Sequence, residues 1–111
     1  MQGKFVLSKT RNKKFMFNLN ASNGQVILTS ERYETMKAAE NGIKSVRKNA
    51  GNDKRFERKA SRKGEPYFVL KAANGEPIGK SEMYKAKQGM ENGVKSVAKN
   101  APDAKLVDET A

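Results

Sequence analysis

The chain contains no cysteine and no histidine. Without thiols it can build no disulfide scaffold, no thiolate metal site and no cysteine nucleophile, and a reducing cytosol would suit it. Without imidazole it also lacks the commonest general base and metal ligand. Apolar residues are few, at 36% of 111, which suffices for the modest core of one domain. No apolar run approaches the roughly eighteen residues that mark a membrane span. The opening stretch, MQGKFVLSKTRNKKF, is too weakly apolar for a secretory signal. Negative charge is in deficit as well. Twelve Asp and Glu face 23 Lys and Arg, for a net charge of +11, and a surface of that sign attracts polyanions. The expectations are a cytoplasmic location and no membrane partner.

What the chain does have is a duplication. ENGIKSVRKNA at 40–50 returns as ENGVKSVAKNA at 91–101, and sliding 5–50 over 56–101 without a gap leaves twenty identical positions. Self-similarity of that extent marks repeated structural units. Phe17 matches Phe68, Leu19 matches Leu70, Asn23-Gly24 matches Asn74-Gly75, Ser30-Glu31 matches Ser81-Glu82, and Tyr33 matches Tyr84. One domain spanning 1–111 is expected, made of two repeats at about 1–53 and 54–111.

Each repeat can be read by period. FMFNL at 15–19 and YFVLK at 67–71 alternate as half-buried strands do, with Phe17, Leu19, Phe68 and Leu70 turned inward. Asn-Gly follows each, the pair that most readily takes the positive φ of a hairpin turn, and then a short apolar run holding Ile27 or Ile78. KFVLS at 4–8 and KRFERK at 54–59 are candidate preceding strands, and KLVDE at 105–109 a last one. Pro77 cannot donate to a ladder, which places its strand at an edge or at a bend. Ser30 and Ser81 are expected helix N-caps, with Glu31, Glu82, Tyr33 and Tyr84 in the first turns. Met36, Ala39, Ile43, Val46 and Ala50 then form an apolar stripe, repeated by Met90, Val94, Val97 and Ala101. Gly42 and Gly93 lie near its edge, where glycine costs about 1 kcal/mol against alanine. Close packing or a backbone contact to a ligand would justify them.

Tandem Phe-x-Leu, Asn-Gly, Ser-Glu-x-Tyr and Glu-Asn-Gly-Ile/Val-Lys-Ser-Val resembles the YegP family of small bacterial proteins, across nearly the whole chain. The resemblance implies an α+β fold of two tandem β-β-β-α-β repeats forming a single antiparallel sheet, with two helices packed on one face and exchanged C-terminal strands. It implies no biochemical activity.

The residues themselves argue against an enzyme. Ser45 and Ser96 have no histidine to activate them. Glu40 and Glu91 stand four residues before Lys44 and Lys95, the spacing of a solvated helix ion pair rather than of paired catalytic acids. No phosphate loop, metal pattern or cofactor fingerprint is present. What rises above background is basic charge. Lys37, Lys44 and Lys48 share one band of the first helix, and Lys95 and Lys99 share one on the second. The segment KRFERKASRK at 54–63 adds Lys54, Arg55, Arg58, Lys59, Arg62 and Lys63. Tyr67 and Val69 stand on the sheet face away from the helices, where the first repeat has Met16 and Asn18. The expectation is a binding module for nucleic acid or another polyanion, tracking phosphates with Lys37, Lys44, Lys48, Lys54, Arg55, Lys95 and Lys99 and stacking a base on Tyr67. The alternative is a protein-interaction or structural module docking through Tyr67, Val69 and Met16 on the open sheet face, with no nucleic-acid role. Both repeats lie in one chain, so a monomer is expected.

Overall fold

Alternation along the apolar segments decides which residues face the helices. A computed structural model describes residues 3–110. In β1 (Lys4–Lys9) and β2 (Phe15–Asn20), Phe5, Leu7, Phe17 and Leu19 are fully buried and their neighbours are partly open. After β3 (Val26–Ser30) comes α1 (Met36–Asn49), which lays Ala39, Ile43 and Val46 on that buried face. A 3₁₀ turn at Asp53–Arg55 leads into the second repeat: β4 (Phe56–Ala60), β5 (Pro66–Lys71), β6 (Pro77–Lys80) and α2 (Lys87–Asn100). A second 3₁₀ turn, Ala101–Asp103, precedes β7 (Lys105–Asp108).

The seven strands form one sheet in the order β4-β5-β6-β3-β2-β1-β7. Both helices pack on one face, α1 over β2 and α2 over β5, each reaching across to the other repeat's strands. The repeats join where Thr29 pairs with Lys80. These two residues are equivalents, so a pseudo-twofold axis passes between them. Leu28, nearly fully buried, fits against Gly79, where an added Cβ would stand 2.8 Å from the Thr29 carbonyl oxygen and 3.1 Å from Leu28 Cγ. The same position is leucine in one repeat and glycine in the other because two large side chains cannot share the axis.

The fold expected from the family is present, with two differences in the sheet. β7 crosses the molecule to join β1 of the other repeat, and it joins in parallel, so the sheet is mixed. The exchange occurs once, because the strand after α1 is β4 itself, the first strand of the second repeat. Arg47 holds the exchanged end. Its guanidinium donates to the carbonyl oxygens of Ala101, Pro102 and Ala104 at 3.3, 3.1 and 2.8 Å and lies 4.9 Å from the Phe5 ring centroid.

Several local expectations are corrected. Pro77 opens β6 in the sheet interior; it is tolerated as the strand's first residue, opposite the register shift after Leu70, before pairing with β3 begins. In the two Asn-Gly turns only the glycines take positive φ, +88° at Gly24 and +89° at Gly75, while the Asn23 and Asn74 carboxamide oxygens accept from Gln25 and Glu76 amides. Thr35 caps α1, accepting from the Ala38 amide at 3.0 Å, and the equivalent Ala86 gives α2 no side-chain cap. Ser30 instead ends β3 and Ser81 directly follows β6: each buried hydroxyl accepts from the amide of Phe17 or Phe68 and donates to the carbonyl of Glu31 or Glu82. Tyr33 and Tyr84 precede the helices. Their rings stack on Phe17 and Phe68 at 6.3 and 6.4 Å, directly beneath Gly42 and Gly93. A Cβ on Gly42 would lie 2.5 Å from the Tyr33 hydroxyl oxygen, and one on Gly93 closer still to that of Tyr84. The repeated glycines therefore make room for the repeated tyrosines.

Candidate nucleic-acid interface

The basic residues separate into three groups once the chain is folded. Lys37, Lys44 and Lys48 on α1 and Lys95 and Lys99 on α2 are all exposed and form no ion pair among the described residues. Glu40 makes no ion pair with Lys44, and Glu91 pairs with Arg58 rather than Lys95, because the β4 guanidinium reaches it at 3.0 Å. The helix lysines consequently keep their charge free.

The central basic segment is partly committed to structure. Arg58 grips Glu91 with two nitrogens and the Asp53 carboxylate with two further bonds of 2.8 and 3.3 Å, and its hydrogen bonds hold both carboxyls below their usual range. Arg55 is half-buried and donates to the Asn49 carboxamide oxygen at 3.0 Å, fastening the 3₁₀ turn to the end of α1. Lys54, Arg62 and Lys63 are exposed.

Tyr67 belongs to the opposite side of the molecule. Phe68 is buried against the helices, so Tyr67 and Val69 face the open side of the sheet. Register carries one row across that face: Glu57, Val69, Lys80, Thr29, Asn18, Val6 and Val107. Lys59 stands beside Tyr67, and Lys71 is bridged to Glu57 at 2.8 Å. The sheet itself thus separates Tyr67 from the helix lysines, and no single surface holds all the residues expected to bind.

A cleft that the sequence did not reveal lies on the helix side. The β2–β3 turn stands over α2, framing about 460 Å³ between Ser22 and Asn23 on one wall and Asn92, Lys95, Ser96, Lys99 and Asn100 on the other. A second hollow of about 210 Å³ shares Asn23, Asn92 and Ser96 and extends to Gln25, Ile27, Tyr84 and Gly93. Burial, aided by the nearby Glu82 charge, pushes the Tyr84 phenol upward, so it is a neutral hydroxyl at ordinary pH. The i, i+3, i+4, i+7 spacing of Asn92, Lys95, Ser96 and Lys99 was readable as one helix face. Its meeting with the other repeat's turn is a tertiary event without a local signal.

Comparison with known proteins agrees with this architecture. A family described as a domain of unknown function, DUF1508, matches residues 11–57 and again 61–108. A UPF0339 protein of Bordetella pertussis is 51% identical over 99% of this chain and 98% of its own length, and one from Pseudomonas aeruginosa is 46% identical over 99% and 100%. The solution structure of the YegP protein from E. coli, described as of unknown function, superposes with a TM-score of 0.95 at 45% identity, covering 100% of this chain and 96% of that one. That of a UPF0339 protein from Shewanella oneidensis gives 0.93 at 44% identity, covering 99% and 93%. Among the described residues no helix is long and apolar enough to cross a membrane.

Proposed function

This chain belongs to the DUF1508 family, and from that premise, which supplies a duplicated fold but no chemistry, we propose that it is a nucleic-acid-binding protein and not an enzyme. One observation carries the reading. Lys37, Lys44, Lys48, Lys95 and Lys99 project from two helices packed on the same face of the sheet, all exposed and none neutralised by an ion pair. Unpaired lysines on a broad surface neutralise phosphates and release counterions, a source of affinity that is indifferent to base sequence and falls steeply with salt. Exposed Lys54 extends the surface; Arg55, bound to Asn49, contributes long-range charge rather than a free hydrogen-bonding group.

The test is a fluorescence titration of labelled DNA and RNA, single- and double-stranded, at several salt concentrations. Wild type should bind all of them at about 50 mM salt, and replacing Lys44, Lys48, Lys95 and Lys99 by glutamine should weaken binding to many sequences alike. On duplex DNA the log-log salt slope should shrink by about 0.9 per lost contact. Tyr67→Ala should leave duplex binding unchanged, since its ring is on the far face. No binding by wild type to any nucleic acid at low salt would overturn the proposal. A protein-interaction role would then take its place, favoured by the half-buried Met16, Tyr67 and Val69 on the open sheet face.

A further inference from the structure

The cleft between the β2–β3 turn and α2 is rich in hydrogen-bond donors. The Asn92 carboxamide oxygen is taken by Gln88 Nε2 at 3.2 Å, and the Asn23 oxygen by the Gln25 amide at 2.9 Å. Ser96 Oγ accepts from Asn100 Nδ2 at 3.2 Å, which leaves its hydrogen to donate elsewhere. Each of these oxygens keeps a second lone pair, and beside it Asn23, Asn92 and Ser96 offer N–H and O–H donors. Lys95 and Lys99 add ammonium donors, and no carboxylate is among the described residues lining either hollow. The pseudo-equivalent position is less suited to a ligand. There Ala73 replaces Ser22 and its hydroxyl.

A concave site rich in N–H and O–H donors, with two cations and no acid, is complementary to an anion with several acceptor oxygens. We infer that this cleft binds a phosphate ester carried on a sugar. The phosphate meets Lys95, Lys99 and Ser96, and the sugar extends along Asn92 toward the hollow beside Tyr84. The chemistry is shared by a free nucleotide and by the phosphorylated end of a strand. The inference rests on the polyanion reading only in the second case.

The decisive experiment follows backbone amide shifts of the full chain during titration with uridine 5′-monophosphate, ribose 5-phosphate, ribose, and a short oligonucleotide with and without a 5′-phosphate. Saturable shifts confined to Ser22–Gly24 and Asn92–Asn100, seen with the phosphorylated probes and not with ribose, are expected. Lys95→Gln with Lys99→Gln should abolish saturation. Asn92→Asp, nearly isosteric but turning a donor into a negative acceptor, should weaken binding at least about tenfold. Shifts spread evenly over all lysines, or unchanged affinity in Asn92→Asp, would overturn the site. Oligonucleotide binding with no phosphate-dependent effect in the cleft, from mononucleotide or from a 5′-phosphorylated strand, would refute this inference and leave the broader proposal standing. Saturation by mononucleotide in a chain that binds no oligonucleotide would do the reverse.

Discussion

At the scale of the residue, the two repeats act as controls for one another. Gly42 and Gly93 each lie over a tyrosine hydroxyl, with Phe17 and Phe68 Cε2 a further 3.0 and 3.1 Å from the hypothetical methyl. Alanine would gain helix propensity of about 1 kcal/mol, but overpacking typically costs about 1–3 kcal/mol. Either substitution should therefore lower the unfolding free energy in urea, and Tyr84→Phe should partly rescue Gly93→Ala by removing the nearest atom. A gain in stability from both alanines would show the glycines to be passive. The helix caps give the opposite sign. Ala86 has the same extended backbone as Thr35, with φ −142° against −129°, but no side-chain acceptor. Ala86→Thr should stabilise by about 1 kcal/mol, measured in the same denaturation series. The twin glycines and tyrosines were plain in the sequence, but their contact was not. Serine is so common a cap that Ser30 and Ser81 suggested helix starts five residues too early, when their hydroxyls in fact replace a ladder partner at the strand end.

At the scale of the element, the two outer edges of the sheet are finished in different ways. β1 is covered by β7, and its Leu7 is buried apolar; β4 is the terminal strand at the other side, and the position of Leu7 is taken by Arg58. An uncovered edge invites pairing with another chain unless charge, a bulge or a covering element blocks it. Arg58 supplies the charge, pointing toward Glu91 and reaching the Phe56 carbonyl oxygen at 3.4 Å, while the Asp53–Arg55 turn shields the start of the strand. Arg58→Leu should therefore produce concentration-dependent self-association in sedimentation velocity, with the fold retained by circular dichroism. A variant that self-associates no more than wild type at high concentration would mean the turn alone protects the edge. Strand and helix positions were legible because alternation and helical period are local properties of the chain. The direction of β7 and the interior place of β6 were not, because pairing partners are set by the whole sheet. The helix lysines were likewise legible as a band, whereas the cleft needed residues from both repeats.

At the scale of the molecule, duplication has given way to complementarity. Thr29 and Lys80 pair across the pseudo-axis, and beside them Leu28 fills the space that Gly79 leaves. Two copies of the first repeat would set leucine against leucine at that junction, and two copies of the second would leave a hole between glycines. Arg47 adds a second asymmetry, since its counterpart in α2 is Ala98 and only the first helix can hold the crossing end of the chain. The unlike halves should consequently prefer each other. Expressed separately, residues 1–53 and 54–111 should show little stable structure, because each lacks the strands that complete its sheet and half of its core. Mixed, they should recover the fold as a one-to-one complex, visible as cooperative thermal unfolding whose midpoint rises with concentration. Homodimers of either half as stable as the mixture would show that Leu28, Gly79 and Arg47 do not enforce the pairing, and that the repeats are still interchangeable.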